Sequence, residues 1–261
     1  MNEAELLFSQ VLGCDRLALS LNKDRYLGRE ELDFITCSLK RRIKGEPIQY
    51  ILGKMEFMGL ELKIKQDVLI PRPETEILVQ TALKYIKQEK SRKILDLGTG
   101  SGCIAISLGK NSANLEIDAS DISSSALAVA KENAGLNGVK IDFVLSDLFR
   151  GLRNKKYDLI TSNPPYVREG EITKLQPELQ FEPKLALNGG PDGLDFYRRI
   201  ISGSANYLQK NGLLIMEMGF EQKPDIETIF LDLGKFKLIE VIKDYNNIDR
   251  VIVARKADIN G

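Results

Sequence analysis

Apolar residues recur along this chain with two different periods, and the changeover comes near residue 45. In 3–12 they fall at Leu6, Leu7, Val11 and Leu12, and in 29–43 at Leu32, Ile35, Leu39 and Ile43. Steps of three and four line one side of a helix, so two helices are expected with these residues turned inward. Gly45-Glu46-Pro47 stops the second. From Ile48 to about Ile70 the pattern shifts to alternation, clearest in Leu60-Glu61-Leu62-Lys63-Ile64, which predicts a β-hairpin turning near Gly53-Lys54 or Gly59. Pro71-Arg72-Pro73-Glu74-Thr75-Glu76 then opens a helix running to about residue 88, with Leu78, Ala82 and Tyr85 on its buried face. Proline in a first turn followed by carboxylates is what a helix N-terminus favours. Seven strand candidates follow, at 92–97, 115–119, 139–145, 157–161, 213–218, 236–242 and 250–254, with helical stretches such as 123–134 and 193–208 among them. Strand–helix alternation of this kind implies an α/β fold, a mainly parallel sheet covered by helices on both faces.

Bulk properties narrow the function classes. Lys plus Arg and Asp plus Glu number 37 each, so the chain is neutral overall. A dedicated nucleic-acid binder normally carries a basic excess, and none is present. No apolar run reaches the ~20 residues that span a bilayer, and Met1-Asn2-Glu3-Ala4-Glu5 lacks the basic start of a secretory signal. The three cysteines, Cys14, Cys37 and Cys103, are isolated, as reduced cytoplasmic thiols are. Cys103 reads as a small packing residue, with a reactive thiol at a helix start as the alternative. Histidine is absent altogether. That removes a histidine base, a Ser/Cys–His triad and nearly every zinc or iron site, so no metal is expected.

The chemistry concentrates at strand ends. Asp96-Leu97-Gly98-Thr99-Gly100-Ser101-Gly102 is a strand end, a glycine turn and a helix start. Its G-x-G-x-G spacing departs from the G-x-G-x-x-G of dinucleotide folds. A carboxylate such as Asp96 beside the turn would repel phosphate and suit an ammonium group. Asp121 closes the next strand, where a carboxylate can accept from both ribose hydroxyls; Asp118 is the alternative, though mid-strand. Asp147 closes the third and would accept from an adenine amino group, with Leu148 or Phe149 against the ring; capping is its bland alternative. An adenosine-bearing, unphosphorylated ligand with an ammonium group is S-adenosyl-L-methionine (SAM). On the same edge stands Ser162-Asn163-Pro164-Pro165-Tyr166, which two prolines hold extended. The Asn163 amide, the Pro164 carbonyl and the Tyr166 ring suit a planar substrate bearing an NH2.

Asp-Leu-Gly-Thr-Gly-Ser-Gly at 96–102 with Asn-Pro-Pro-Tyr at 163–166 resembles the Rossmann-like N-methyltransferases, a group spanning adenine-N6, guanine-N2 and glutamine-amide enzymes. Ile70 to Glu76, Phe181-Glu182-Pro183 with Ala186-Leu187, Gly189-Gly190-Pro191-Asp192-Gly193-Leu194 and Asp249-Arg250-Val251 narrow the resemblance to the peptide chain release factor glutamine methyltransferase family (PrmC/HemK). The likeness implies a helical N-terminal domain (1–45, for partner docking or as a structural cap), a hairpin linker (46–70) and a seven-stranded SAM-dependent domain (71–261). It implies methylation of the glutamine amide in the Gly-Gly-Gln motif of class I release factors in the cytoplasm, with S-adenosyl-L-homocysteine as product. Carried over by position, Asp96, Gly98, Thr99, Gly100, Gly102, Asp121, Ile122, Asp147, Leu148 and Asn163 would meet the cofactor. Asn163, Pro164, Pro165 and Tyr166 would hold the glutamine, Asn163, Pro164 and Tyr166 acting in catalysis, and Arg72 and Glu74 would lie at or near that pocket. Ser124 stands where the family's proline is expected, a helix-start detail. The rivals are a nucleic-acid methyltransferase of adenine N6 or guanine N2 and a SAM-binding module without catalysis. Direct nucleic-acid and membrane contacts are not expected.

Overall fold

The computed structural model describes residues 2–21, 24–152 and 155–258. At the N-terminal end α1 (Glu3–Leu12), α3 (Arg29–Ile43) and α4 (Ile48–Leu52) pack on one another around Leu7, Ile35, Ile48 and Ile51, with α2 (Arg16–Leu21) against α1. A capping box in which Asn2 and Glu5 exchange side-chain and backbone hydrogen bonds starts α1. Two expectations are corrected here. Residues 48–52 are a short helix rather than part of the alternating stretch, and Gly53, at φ 73°, ends it. On α3, only Ile35 of the four expected inward residues is buried, with Ser38 beside it; Leu32, Leu39 and Ile43 face outward. Spacing identifies which residues share a stripe, but the neighbour decides which stripe is covered.

β1 (Lys54–Phe57) and β2 (Leu60–Lys63) form the hairpin, turning at Met58-Gly59 with both residues at positive φ. The inward set Phe57, Leu62 and Ile64 sinks into the main core while Glu61 and Lys63 stay exposed. Glu76 of α5 (Pro73–Glu89) accepts from the Met58 amide at 3.0 Å and pins the turn.

The rest alternates as expected: β3 (Lys93–Leu97), α6 (Cys103–Asn111), β4 (Glu116–Asp121), α7 (Ser124–Asn137), β5 (Asp142–Leu145), β6 (Tyr157–Ser162), α8 (Lys184–Leu187), α9 (Asp195–Tyr207), β7 (Leu208–Glu217), α10 (Lys223–Leu233), β8 (Phe236–Lys243) and β9 (Asp249–Lys256). β5 is shorter than the alternation at 139–145 predicts. Gly138 caps α7 at φ 65°, and the Val139 amide is spent on the Ala134 carbonyl, so the strand starts only at Asp142.

The seven strands form one sheet in the order β5-β4-β3-β6-β7-β9-β8, parallel except for β9, which is antiparallel to both of its neighbours. Alternate strand residues divide between two cores. Ile94, Leu159, Leu213, Ile215, Val251 and Val253 meet α5 and α6; Leu95, Ile160, Leu214, Met216, Ile252 and Ala254 meet α9 and α10. This is a Rossmann-like arrangement. From β3 the chain moves outward to β4 and β5, then returns to place β6 on β3's other side. A crevice therefore opens between the carboxyl ends of β3 and β6, where such sheets take their ligands.

Candidate functional site

Register brings the two leading motifs together. Asp96 pairs with Thr161 and Leu97 with Ser162 across β3 and β6, so the glycine loop and the proline turn leave the sheet side by side. Between them lies a cavity of about 370 Å³, within the range of small-molecule sites. Its wall includes Gly98, Thr99, Gly100, Asp121, Ile122, Asp147, Leu148, Asn163, Pro164 and Pro165.

Gly98, Gly100 and Gly102 have φ of 67°, 55° and 83°, so the loop needs a residue without a Cβ at every second position before α6 begins. Its hydrogen bonds fix it from below. The Thr99 amide donates to the Ser120 carbonyl at 2.9 Å, and the Gly100 amide to Asp121 Oδ2 at 2.9 Å. Asp121 Oδ1 accepts from the Ser123 amide at 2.9 Å, and the residue lines the cavity. Burial pushes the Asp121 carboxyl above the usual range, and the three nearby backbone amides pull it back.

Five expected site residues are not on the wall. Asp96 is fully buried behind the loop, where its oxygens accept from Thr99 Oγ1 at 2.6 Å and Thr161 Oγ1 at 2.9 Å; burial raises its carboxyl to about 6. It braces the loop through Thr99. Gly102 is closed off by Ile106 and Ala130, and caps α6. Tyr166 is half-buried and packs against the core that α9 and α10 share, its hydroxyl pushed up to about 12 by burial. Arg72 pairs with Glu182, which also accepts from the Ile70 amide at 3.1 Å, so its guanidinium ties two stretches of the cavity rim together. Glu74 sits half-buried one residue before Thr75, which is on the wall.

Asp147 is on the wall, but Arg199 and Arg150 hold its carboxylate, the latter at 3.2 Å. Asp118, the alternative to Asp121, is bound instead to Lys155 and the Tyr157 hydroxyl. Cys103 lines the cavity as an ordinary thiol, raised to about 12 by burial. Ser123 caps α7 through the Ala126 amide, so the start of that helix has no need of a proline at Ser124.

The proline turn is rigidly held. Ser162 Oγ donates to the Leu97 carbonyl at 2.8 Å, Gln222 Nε2 to the Tyr166 carbonyl at 3.1 Å, and the Val167 amide to the Leu187 carbonyl at 2.9 Å. Asn163 Nδ2 donates to Thr75 Oγ1 at 3.2 Å, and Thr75 Oγ1 donates to Glu217 Oε2 at 2.7 Å. Asn163 Oδ1 is buried and has no hydrogen-bond partner among the described residues. A buried acceptor is rarely left so. It marks where a donor from a ligand fits.

Sequence reasoning passed over Thr75 and Glu217. Glu217 did leave a signal: it is a carboxylate ending the apolar run Leu213-Leu214-Ile215-Met216, a fourth acidic strand end after Asp96, Asp121 and Asp147. Phe196, Arg199 and Ile200 of α9 also reach the wall. Their positions in the sequence carry no mark of it.

Residues 73–181 match the methyltransferase small domain family, and residues 1–53 match the PrmC N-terminal domain. A release factor glutamine methyltransferase of Thermodesulfovibrio yellowstonii is 42% identical over 98% of this chain and 93% of its own length. The chain belongs to the release factor glutamine methyltransferase family. Its catalytic domain is a SAM-dependent methyltransferase domain, as membership implies. Solved structures agree on the fold. A methyltransferase of Pyrococcus furiosus superimposes with a TM-score of 0.58 at 16% identity, covering 88% of this chain and all of that one. A 16S rRNA N2 G1207 methyltransferase of T. thermophilus, solved with AdoMet and guanosine, gives 0.54 at 18% identity over 78% of this chain and 50% of that one.

The wall suits the family's cofactor. Its charged groups are three carboxylates (Asp67, Asp121 and Asp147) and one guanidinium (Arg199), already paired to Asp147. That balance favours a cationic ligand without phosphate. Among the described residues no helix is long and apolar enough to cross a membrane.

Proposed function

We propose that this chain methylates the side-chain amide nitrogen of the glutamine in the Gly-Gly-Gln motif of class I release factors. The observation that carries this is the buried, unpartnered Oδ1 of Asn163, a residue on the wall of the switch-point cavity beside two prolines. Gly98, Thr99, Gly100, Asp121, Ile122, Asp147 and Leu148 would hold SAM, Asp121 taking the ribose hydroxyls. When bound, SAM supplies an electrophilic methyl group, leaving S-adenosyl-L-homocysteine.

An amide nitrogen is a poor nucleophile because its lone pair is delocalised into the carbonyl. As that nitrogen takes up a methyl group the lone pair localises and positive charge grows on it. Asn163 Oδ1 and the Pro164 carbonyl accept its N–H bonds and are favoured more as that charge develops, which lowers the barrier. Pro164 and Pro165 keep both acceptors from moving, so no reorganisation is needed at the moment of reaction. The methylated nitrogen is acidic and gives its proton to water, so neither a histidine base nor a metal is required. Arg72, paired with Glu182, would brace the rim beside the amide. The helical region at 1–45 would dock the release factor, 46–70 would link it to the catalytic region at 71–261, and the work would be cytoplasmic.

Incubation with methyl-tritiated SAM and either a release factor or total RNA and DNA decides the matter. Label on the release factor, lost when its motif glutamine is replaced, is the expected result. Label on nucleic acid alone would overturn it.

A further inference from the structure

Thr75 and Glu217 lie 142 residues apart and are both almost wholly buried, Thr75 in the first turn of α5 and Glu217 at the last position of β7. Ser162 pairs with Met216, so Asn163 and Glu217 leave neighbouring parallel strands at the same level. Thr75, from α5, hydrogen-bonds to both.

The hydrogen bonds in this chain have a fixed sense. A threonine hydroxyl has one proton. Here it goes to Glu217 Oε2 at 2.7 Å, and an ionised carboxylate has no proton to return. Toward Asn163 the Thr75 oxygen can then only accept, so it faces the NH2 end of that amide, at 3.2 Å. Asn163 Oδ1 is left pointing the other way, buried and unpartnered. Were the amide turned over, its NH2 would meet the NH2 of the substrate and its oxygen would face an oxygen with no proton to give.

We propose that Glu217, acting through Thr75, is a positioning residue that sets which end of the Asn163 amide meets the substrate. This rests on Asn163 being the acceptor for the substrate amide, as proposed above. The carboxylate is buried off the cavity wall; it dictates the direction of two hydrogen bonds. An enzyme selecting an NH2-bearing substrate needs that direction, because asparagine offers a donor and an acceptor of nearly the same shape.

The groups around Glu217 come from every element packed on it: Thr75 and Glu74 from α5, Asn163 and Tyr166 from the proline turn, Arg250 from β9, Tyr197 from α9 and Cys103 from α6. Burial dominates and pushes the carboxyl up to about 7; the Thr75 hydroxyl, Arg250 and Asn163 draw it down, and Glu74 draws it up. On the acid side of that value Glu217 holds a proton, Thr75 is freed to donate to Asn163, and the amide loses its fixed sense. Turnover is therefore expected to fall as pH falls through about 7.

The test uses the full chain, a release factor and labelled SAM. T75V keeps the shape but removes the hydroxyl, and lowers kcat roughly 10–100-fold, the scale of leaving a buried amide unpaired. T75S recovers most of that loss. E217Q abolishes the step in kcat near neutral pH, while the SAM dissociation constant stays as in the wild type. Wild-type kcat in T75V, or a step that persists in E217Q, overturns the proposal. Thermal melts check folding, and T75S and E217Q keep it falsifiable should T75V not fold. A second readout does not need activity: the 15N-labelled side-chain amide of Asn163. Its protons exchange slowly in the wild type and fast in T75V, and its shift titrates near neutral pH in the wild type but not in E217Q. Equal exchange in T75V, or the same titration in E217Q, again overturns it. If the wild type puts no methyl on glutamine, the functional assignment fails, and the amide signals decide the positioning role alone.

Discussion

Asn163 and Asp121 face the same cavity and should separate cleanly by experiment. Asn163→Ala removes the acceptor that gains most as charge develops on the substrate nitrogen. Turnover should drop roughly 10²–10³-fold, as loss of one preorganised partner does elsewhere, with SAM affinity nearly intact. Single-turnover rates and calorimetry on the same variant check both halves. Asp121→Ala should do the reverse, raising the SAM dissociation constant at least about tenfold, or ~1.4 kcal/mol. Its two oxygens also hold the Gly100 and Ser123 amides, so the loop loosens as the ligand contact is lost. Equal affinity by calorimetry would remove Asp121 from the ribose. At this scale the sequence marked the right strand ends but not what each side chain touches. Asp96 was legible as a carboxylate beside a glycine turn, yet Thr99 and Thr161 claim both of its oxygens. Tyr166 was legible as the last letter of a motif, but not that it would pack, half-buried, against the core below α9.

Among the elements, the segment from Tyr166 to Leu194 holds the proline turn in place from outside. A Cβ on Gly189 would lie 2.8 Å from Tyr166 Cα and 2.9 Å from the Pro165 and Gly193 carbonyl oxygens. Those neighbours are backbone and cannot swing aside. Gly189→Ala should therefore cost about 1–3 kcal/mol of stability, the range of overpacked sites, and cut turnover because the turn carrying Asn163 must shift. Urea unfolding and a kcat measurement test this, and a variant unchanged in both would show that the segment does not support the turn. The succession of strand and helix patterns and clear helix starts made β3, β4, β6, α1 and α5 readable nearly to the residue. α4 was missed because five residues are too few to show a period, and β5 was overextended because Val139 continues the apolar pattern after its amide is already taken.

For the molecule as a whole, buried Asp96 makes stability depend on pH. Its carboxyl stands near 6 in the folded chain and near 3.9 in an unfolded one. Between those values the folded state binds more protons, so the group's favourable contribution is full below the lower value and is lost as pH rises through about 6. Asp96→Asn removes that loss. Relative to the wild type it should melt higher at pH 8 than at pH 4, and the difference should close across the interval between. A constant offset would mean that Asp96 is ionised throughout. Surface pairs such as Arg198 with Asp192 act in the opposite sense, failing as acid protonates their carboxyls, but they are common to both proteins and cancel.

By itself the sequence determined the alternation of strands and helices, the glycine loop and the proline turn, and which residues share a strand face. Those are local properties, fixed by backbone geometry over a few residues. The tertiary structure alone decided which stripe of α3 stays in water, and that Thr75 and Glu217, 88 residues before Asn163 and 54 after it in the chain, would meet at its amide. Periodicity shows that a side chain points inward. The partner it finds there depends on how the strands cross over, and a parallel sheet with a switch point brings distant strand ends together at one edge.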